Sequence, residues 1–523
     1  MSRLFPTLLT VLTLTGCPGA GGGIGDPCGG QGDCDSQFQC VANVCTSRCQ
    51  RAPECGDGYA CDDEGLCRLA TGQAGDACTS EVECAPGLSC QLDNSVDNAG
   101  QLLASCTAQN PGRPASAACS ADSECRNGTC ALGRCVDLCD QTRDCAAGNS
   151  CMGIPLVHSP ALPADGAVFD GCLPSFGSVT WAIPVLGPAT EILLPVPAGA
   201  RSATVVFRVD DVAQTVGASR VSAPSDPPGA PSYVKPCTPA LGPNPLCDEQ
   251  LAFDQYFGQR LRHLPEPGQS VLQIPSSAGA PLETGAYRVS VSSFRPNGTA
   301  GSAIPHVTAT MKMDTAVILD LHFYFLDLDE HPCQASFADQ RLEAASAKTA
   351  SYFQSDYLGE LLTIFAGGGL SLGATTYEDV TTHPDLDGLA VENAGSLLSL
   401  GVNGTGINVF FVRTLSPVGL QAFGPNPGPA GLGGTRQSGV IIGVDTLCYR
   451  SWTQLARLTA HEVARYMGLY HNVELEVGDH PAWRDPIDDS DDSRNNLMFF
   501  SELGGIDLSA GQRAILTKSA VLR

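Results

Sequence analysis

Cysteine is the residue type that most clearly sets the chemistry of this 523-residue chain, which has 25 cysteines and 9 histidines. Cysteines pair oxidatively in exported proteins or hold metal in reducing compartments. Setting Cys17 aside leaves 24, an even number, and twenty of these lie between Cys28 and Cys172. They recur in groups running Cys28 to Cys67, Cys78 to Cys106 and Cys119 to Cys172, and the first and third groups have nearly the same spacing. The beat reads as an internal repeat of five four-cysteine modules, about 25 residues each. Module starts look alike, as in Gly25-Asp26-Pro27-Cys28 and Gly75-Asp76-Ala77-Cys78. A zinc reading would want Cys-x₂-Cys pairs with histidines, yet no histidine precedes His158. Disulfides are therefore expected, with connectivity left open. Modules this short bury too little core to fold without such staples. They are expected to serve as spacers or protein-binding stalks. Cys237 and Cys247 are candidates to close a local loop.

The second group of reactive residues lies near the C-terminus. Ser451 or Thr453 can cap a helix through Gln454–Ala460, continuing into His461-Glu462-Val463-Ala464-Arg465-Tyr466-Met467-Gly468-Leu469-Tyr470-His471 and on to Glu474. That segment resembles the metzincin zinc endopeptidases, and within them the pappalysin-like branch, whose pattern is His-Glu-x-x-His-x-x-Gly-x-x-His. His461, Glu462, Gly468 and His471 stand in register. The resemblance implies zinc held by His461 and His471, Glu462 as the base acting on a zinc-bound water, and a glycine that ends the helix. Downstream, Asp485-Pro486-Ile487-Asp488-Asp489 looks like the family's pre-turn segment, Asn496-Leu497-Met498-Phe499 like its Met-turn, and Leu508 to Arg523 like its closing helix. Cys333 and Cys448 can bridge the end of the first strand to the approach of the active helix. The likeness covers about 210 residues.

One position departs. Arg465 stands where the pattern has its second histidine. A guanidinium has no lone pair to give a metal and stays protonated. Arg465 could pair with Glu462, Glu474, Asp485, Asp488 or Asp489. A replacement ligand could come from His480 or Asp485.

The elements that would position these groups change character along the chain. Between 173 and 312, short strand-like runs (Ser178–Val185, Glu191–Val196, Ala203–Val209, Tyr287–Phe294, Val307–Met313) are bounded by Pro, Gly or Asn. From Ala316 the pattern is mixed: Ala316–Leu326, Asn408–Leu415 and Gly439–Val444 read as strands and Phe337–Phe365 as helical. The expected fold class is multidomain: disulfide-rich repeat modules (28–172), then a β-sandwich (173–312), then an α+β metzincin-like catalytic domain (313–523). His322 and His331 read as structural. The Asp485–Asp492 run is either a solvated loop or a calcium site.

The N-terminus supplies an address. Leu4 to Leu14 is too short to span a bilayer and has the length of a signal-peptide core. It ends in Leu14-Thr15-Gly16-Cys17, which resembles the bacterial lipobox. The likeness implies a signal peptide over 1–16, a lipidated Cys17, and a glycine-rich tether over 17–27. It implies a lipid anchor in a membrane of the bacterial cell envelope, at the outer membrane or cell surface. A formal charge of −26 argues against nucleic acid as a partner. Two functions are expected: a surface-tethered zinc endopeptidase impaired or silenced by Arg465, or a non-catalytic lipoprotein binding peptide or protein ligands.

Overall fold

The structure is a computed structural model that describes residues 22–98, 102–157, 166–227, 261–264, 266–275, 281–326, 328, 342–401, 405–425, 435–473, 485, 487, 489–490, 493–499 and 505–523. Cys17, Cys237, Cys247, Cys333, His331, His480 and Asp488 lie outside the described residues.

Ten disulfides staple the N-terminal region, and each module follows one rule: first cysteine to third, second to fourth. The rule has a local cause. An acidic residue precedes the second cysteine in every module, and its carboxylate accepts a backbone N–H from just after the first: Asp33 from Gly29, Glu54 from Gln50, Glu83 from Thr79, Glu124 from Ser120, Asp144 from Asp140. That bond winds a single turn and sets the two cysteines for opposite bridges. The modules do not form a linear stalk. Nη1 of Arg51 in the second module faces the carbonyls of Thr142, Cys145, Ala146 and Asn149 in the fifth, at 3.2–3.3 Å. Arg143 pairs with Asp63 across the same contact.

Beyond Cys172 the strands are numbered from Ser178: β1 Ser178–Ile183, β2 Ala189–Val196, β3 Ser202–Arg208, β4 Thr215–Ser222, β5 Arg262–Leu264, β6 Glu266–Pro267, β7 Gln269–Ile274, β8 Gly285–Phe294 and β9 His306–Lys312. They form two antiparallel sheets, ordered β1-β9-β3-β7-β5 and β2-β8-β4-β6. Alternate residues from both sheets, including Val205, Phe207, Leu272, Val289 and Met311, share one apolar core. The same core takes in Cys84, Leu132, Val136 and Ile154 from the modules. The drop in cysteine density after Cys172 thus marks no gap in the core.

The C-terminal region is mixed α/β. Strands β10 Ile318–Phe325, β11 Ser371–Asp379, β13 Ile407–Val412, β15 Ala422–Phe423 and β16 Val440–Gly443 form a sheet ordered β11-β10-β13-β16-β15, with β12 Gly388–Ala390 and β14 Thr414–Ser416 paired separately. The sheet is parallel except at β15. Strand β13 is buried at every position, as a parallel strand covered on both faces must be. Helices α1 Leu358–Gly367, α2 Trp452–Tyr466 and α3 Ala510–Leu516 contribute to the core on one face, and a second cluster around Phe410, Ile441 and Leu397 covers the other. The expected Phe337–Phe365 helix is broken in its described part, residues 342–365. A short turn at Ala344–Ala347 and a wider π-type turn at Tyr352–Tyr357 precede α1.

The C-terminal tail joins the two regions. Ser178 donates to Ala520 O, Ser202 to Lys518 O, and the fully buried Lys312 to Leu522 O and Asp314.

Candidate functional site

Helix α2 carries the first part of the site. Ser451 caps it, and Gln454 returns the bond to the Ser451 N–H, a reciprocal capping box. Its buried face includes Leu455, Thr459, His461, Glu462 and Val463. The helix ends at Tyr466, short of the expected run to Glu474, because Gly468 adopts φ +116°. The chain reverses there and returns His471 to the helix.

His461 and His471 meet. Their Nε2 atoms are 3.1 Å apart. His461 is buried, and Nδ1 lies 2.7 Å from Leu497 O. A carbonyl only accepts, so Nδ1 donates. Burial pulls the His461 pKa down to about 4, with His471 and Arg465 adding to the effect against Glu462. The ring is therefore neutral at pH 7, and Nε2 of His461 carries its lone pair toward His471. The two nitrogens can share one N–H···N bond. They are also close to the separation of about 3.3 Å that two ligands of a tetrahedral zinc adopt.

The segment Asn496–Phe499 holds the floor. Asn472 N–H donates to Met498 O at 2.9 Å, and Met498 is fully buried. Asn496 accepts from the Met498 N–H and exchanges side-chain bonds with Gln512 of α3. This is how the segment reaches Leu497 O, the oxygen that orients His461.

Arg465 follows His461 on α2, and its Nη1 lies 3.4 Å from Glu462 Oε2. Of the partners expected for it, Glu462 is the one found among the described residues, and Glu474 and Asp488 lie outside them. Glu462 is buried and pressed against the backbone of Gly424, where an added Cβ would come within 2.7 Å of Oε2. The sheet edge thus leaves the carboxylate little room to turn away from Arg465.

A catalytic zinc takes three protein ligands and a water. Two imidazole nitrogens suit that ion, and the third position is a guanidinium. Among the described residues, the groups able to offer three clustered metal donors consist of the disulfide cysteines, so Asp485 does not complete the pair. The described residues do not fit a three-ligand catalytic zinc.

The acidic run is used structurally where it is described. Asp485 is buried, accepts from Ser490 Oγ and Ile487 N–H, and burial raises its pKa to about 6. Asp489 accepts from Ser509 and from Gly511 N–H at the start of α3. Cys448 is disulfide-bonded, and its expected partner Cys333 lies outside the described residues. His322 bonds Thr376 Oγ1 and Thr405 O, a structural role.

Sequence reasoning missed Arg262. This fully buried residue on β5 donates from Nη2 to Leu469 O at 2.8 Å and lies over the Tyr470 ring. Burial lowers its pKa to about 9, with Tyr470 opposing, so it stays charged at neutral pH. An arginine in a three-residue strand carries no signal of such a contact.

Against known proteins, the sequence matches no family model and has no significant match among curated proteins.

Proposed function

We propose that this chain is a bacterial surface lipoprotein with a metzincin-like C-terminal domain that has lost peptide hydrolysis, and that it binds peptide or protein ligands through the retained scaffold. The β-sandwich and cysteine-rich modules would carry that domain on a Cys17 lipid anchor. One observation carries the reading. Arg465 occupies the second-ligand position of the motif and lies 3.4 Å from Glu462 Oε2, the carboxylate that the resemblance makes the base. The ion pair engages a carboxylate oxygen that a zinc-bound water would need, and a cation beside a bound dication is repulsive.

The test is metal content and proteolysis of the purified mature protein. Sub-stoichiometric zinc and no chelator-sensitive cleavage of casein are expected. One zinc per chain with chelator-sensitive cleavage overturns the proposal. For the anchor, a fatty-acid analogue should label the wild type and not Cys17→Ala; equal labelling removes the lipid.

A further inference from the structure

The turn that presents His471 is gripped from outside the α/β region. Two residues do this, and they are neighbours. Arg262 on β5 and Gln273 on β7 are register partners in the antiparallel sheet. Arg262 bonds Leu469 O at 2.8 Å, and its guanidinium covers Tyr470. The Gln273 amide packs on Gly468, where a Cβ would meet its Oε1 at 2.5 Å and its Nε2 at 2.7 Å. Consecutive residues 468, 469 and 470 are thus each contacted by this pair, and residue 471 is the histidine that meets His461.

We infer that Arg262 and Gln273 are positioning residues that set His471 against His461, which makes the sheet region a working part of the site rather than a spacer. The physical reasoning is short. Within α2 and its C-terminal turn, the chain after Gly468 is held by Leu469 N–H to Ala464 O. One backbone bond does not fix the direction of a histidine two residues on. The segment Asn496–Phe499 supplies a second fastening, through Asn472 N–H. Arg262 supplies a further one, from the sheet, by a charge-assisted bond to the buried Leu469 carbonyl. The planar fork suits the task, because one edge bonds a carbonyl while the face covers a ring. The inference goes beyond the proposed loss of catalysis.

The experiment uses the full mature chain and two readouts that need no activity. Amide hydrogen exchange is followed in a peptide spanning residues 467–473, and the imidazole ¹⁵N resonances of His461 and His471 report their contact. For Arg262→Met, exchange protection in 467–473 should fall by about tenfold or more, with loss of the paired imidazole signature, while protection of β13 stays at wild-type level. Arg262→Lys keeps the charge and a donor, and should recover part of the protection. Unchanged protection in 467–473, or an equal loss in β13, overturns the inference; the latter would make Arg262 a general stabiliser. Should Arg262→Met fail to fold, Gln273→Ala decides by the same readouts, with loosening confined to 467–473 expected and an unchanged turn and imidazole signature overturning the inference.

Discussion

Arg465→His is the most informative single change. It removes a cation and adds an imidazole one helical turn beyond His461. Two nitrogens already stand 3.1 Å apart, so zinc entry requires them to separate by only about 0.2 Å to reach tetrahedral spacing. Structural zinc sites with four ligands bind with about 10–16 kcal/mol, so a third nitrogen adds roughly 3 kcal/mol. A unit charge about 6 Å from a dication costs about 5 kcal/mol at an effective dielectric of about 20. The Arg465 side chain is 27% exposed, and solvent reduces that figure to roughly 2 kcal/mol. Together these predict zinc affinity stronger by about 5 kcal/mol, or three to four decades. The His461 pKa of about 4 means no proton must leave that ring at pH 7. The metal-free variant carries the opposite sign. Glu462, 5% exposed, loses its cation, and the apo protein should be less stable by about 1–3 kcal/mol. Zinc should reverse that loss. Competition with a chromophoric chelator gives the affinity, and urea unfolding with and without zinc gives the stability. A folded variant whose zinc affinity improves less than tenfold refutes the reasoning.

Gly468→Ala should destabilise by about 3 kcal/mol or more in urea unfolding, combining a left-handed φ of +116° with a 2.5 Å clash on Gln273; a loss below about 1 kcal/mol would show that the turn has room to give. His461 and His263 both have pKa values lowered by burial to about 4, below the unfolded value of about 6.5. Their stabilising effect is complete above pH 6.5 and is lost as pH falls toward 4, whereas burial raises Glu266 to about 7 and Asp485 to about 6, so those two favour the folded state as pH falls. The stability gap between wild type and His263→Gln should therefore narrow by about 2 kcal/mol from pH 7.5 to pH 5, and a constant gap would contradict the buried neutral ring. Non-reducing mass spectrometry of residues 28–172 should find no alkylatable thiol and the first-to-third, second-to-fourth pairing in each module, each bridge contributing about 2–4 kcal/mol; other pairings would count against the acidic-residue rule.

The parts legible in the sequence were those written by local pattern. The disulfide repeat could be counted but not paired, since the pairing depends on the acidic residue before each second cysteine, a signal present at Asp33, Glu54, Glu83, Glu124 and Asp144 and readable only once its hydrogen bond is known. Continuous apolar runs gave β13 and β16. Strand β11 escaped because Ser371–Asp379 lies at a sheet edge and carries just two large apolar residues, Leu372 and Tyr377. The π-type turn at Tyr352 hid between Ala-, Leu- and Glu-rich flanks, and the packing of Phe353 and Tyr357 in the core accompanies the wider winding there.

The site divides the same way. His461, Glu462, Gly468 and His471 could be picked out because they stand in register with the metzincin pattern, and Arg465 stood out as the residue that departs from it. Glu462 was one of five acidic partners the sequence left open for Arg465, and it lies three residues away on the same helix. The grip of Arg262 and Gln273 on the His471 turn did not, since about 200 residues separate the two groups and no periodicity links them. Strand register puts Arg262 and Gln273 side by side, and the C-terminal tail, stitched to β1, β3 and β9, holds their sheet against the turn. A site described from its motif alone would therefore lack the residues that set its third dimension. Transplanting the 313–523 segment without its sheet partner should leave His471 free to swing from His461, whatever residue occupies position 465.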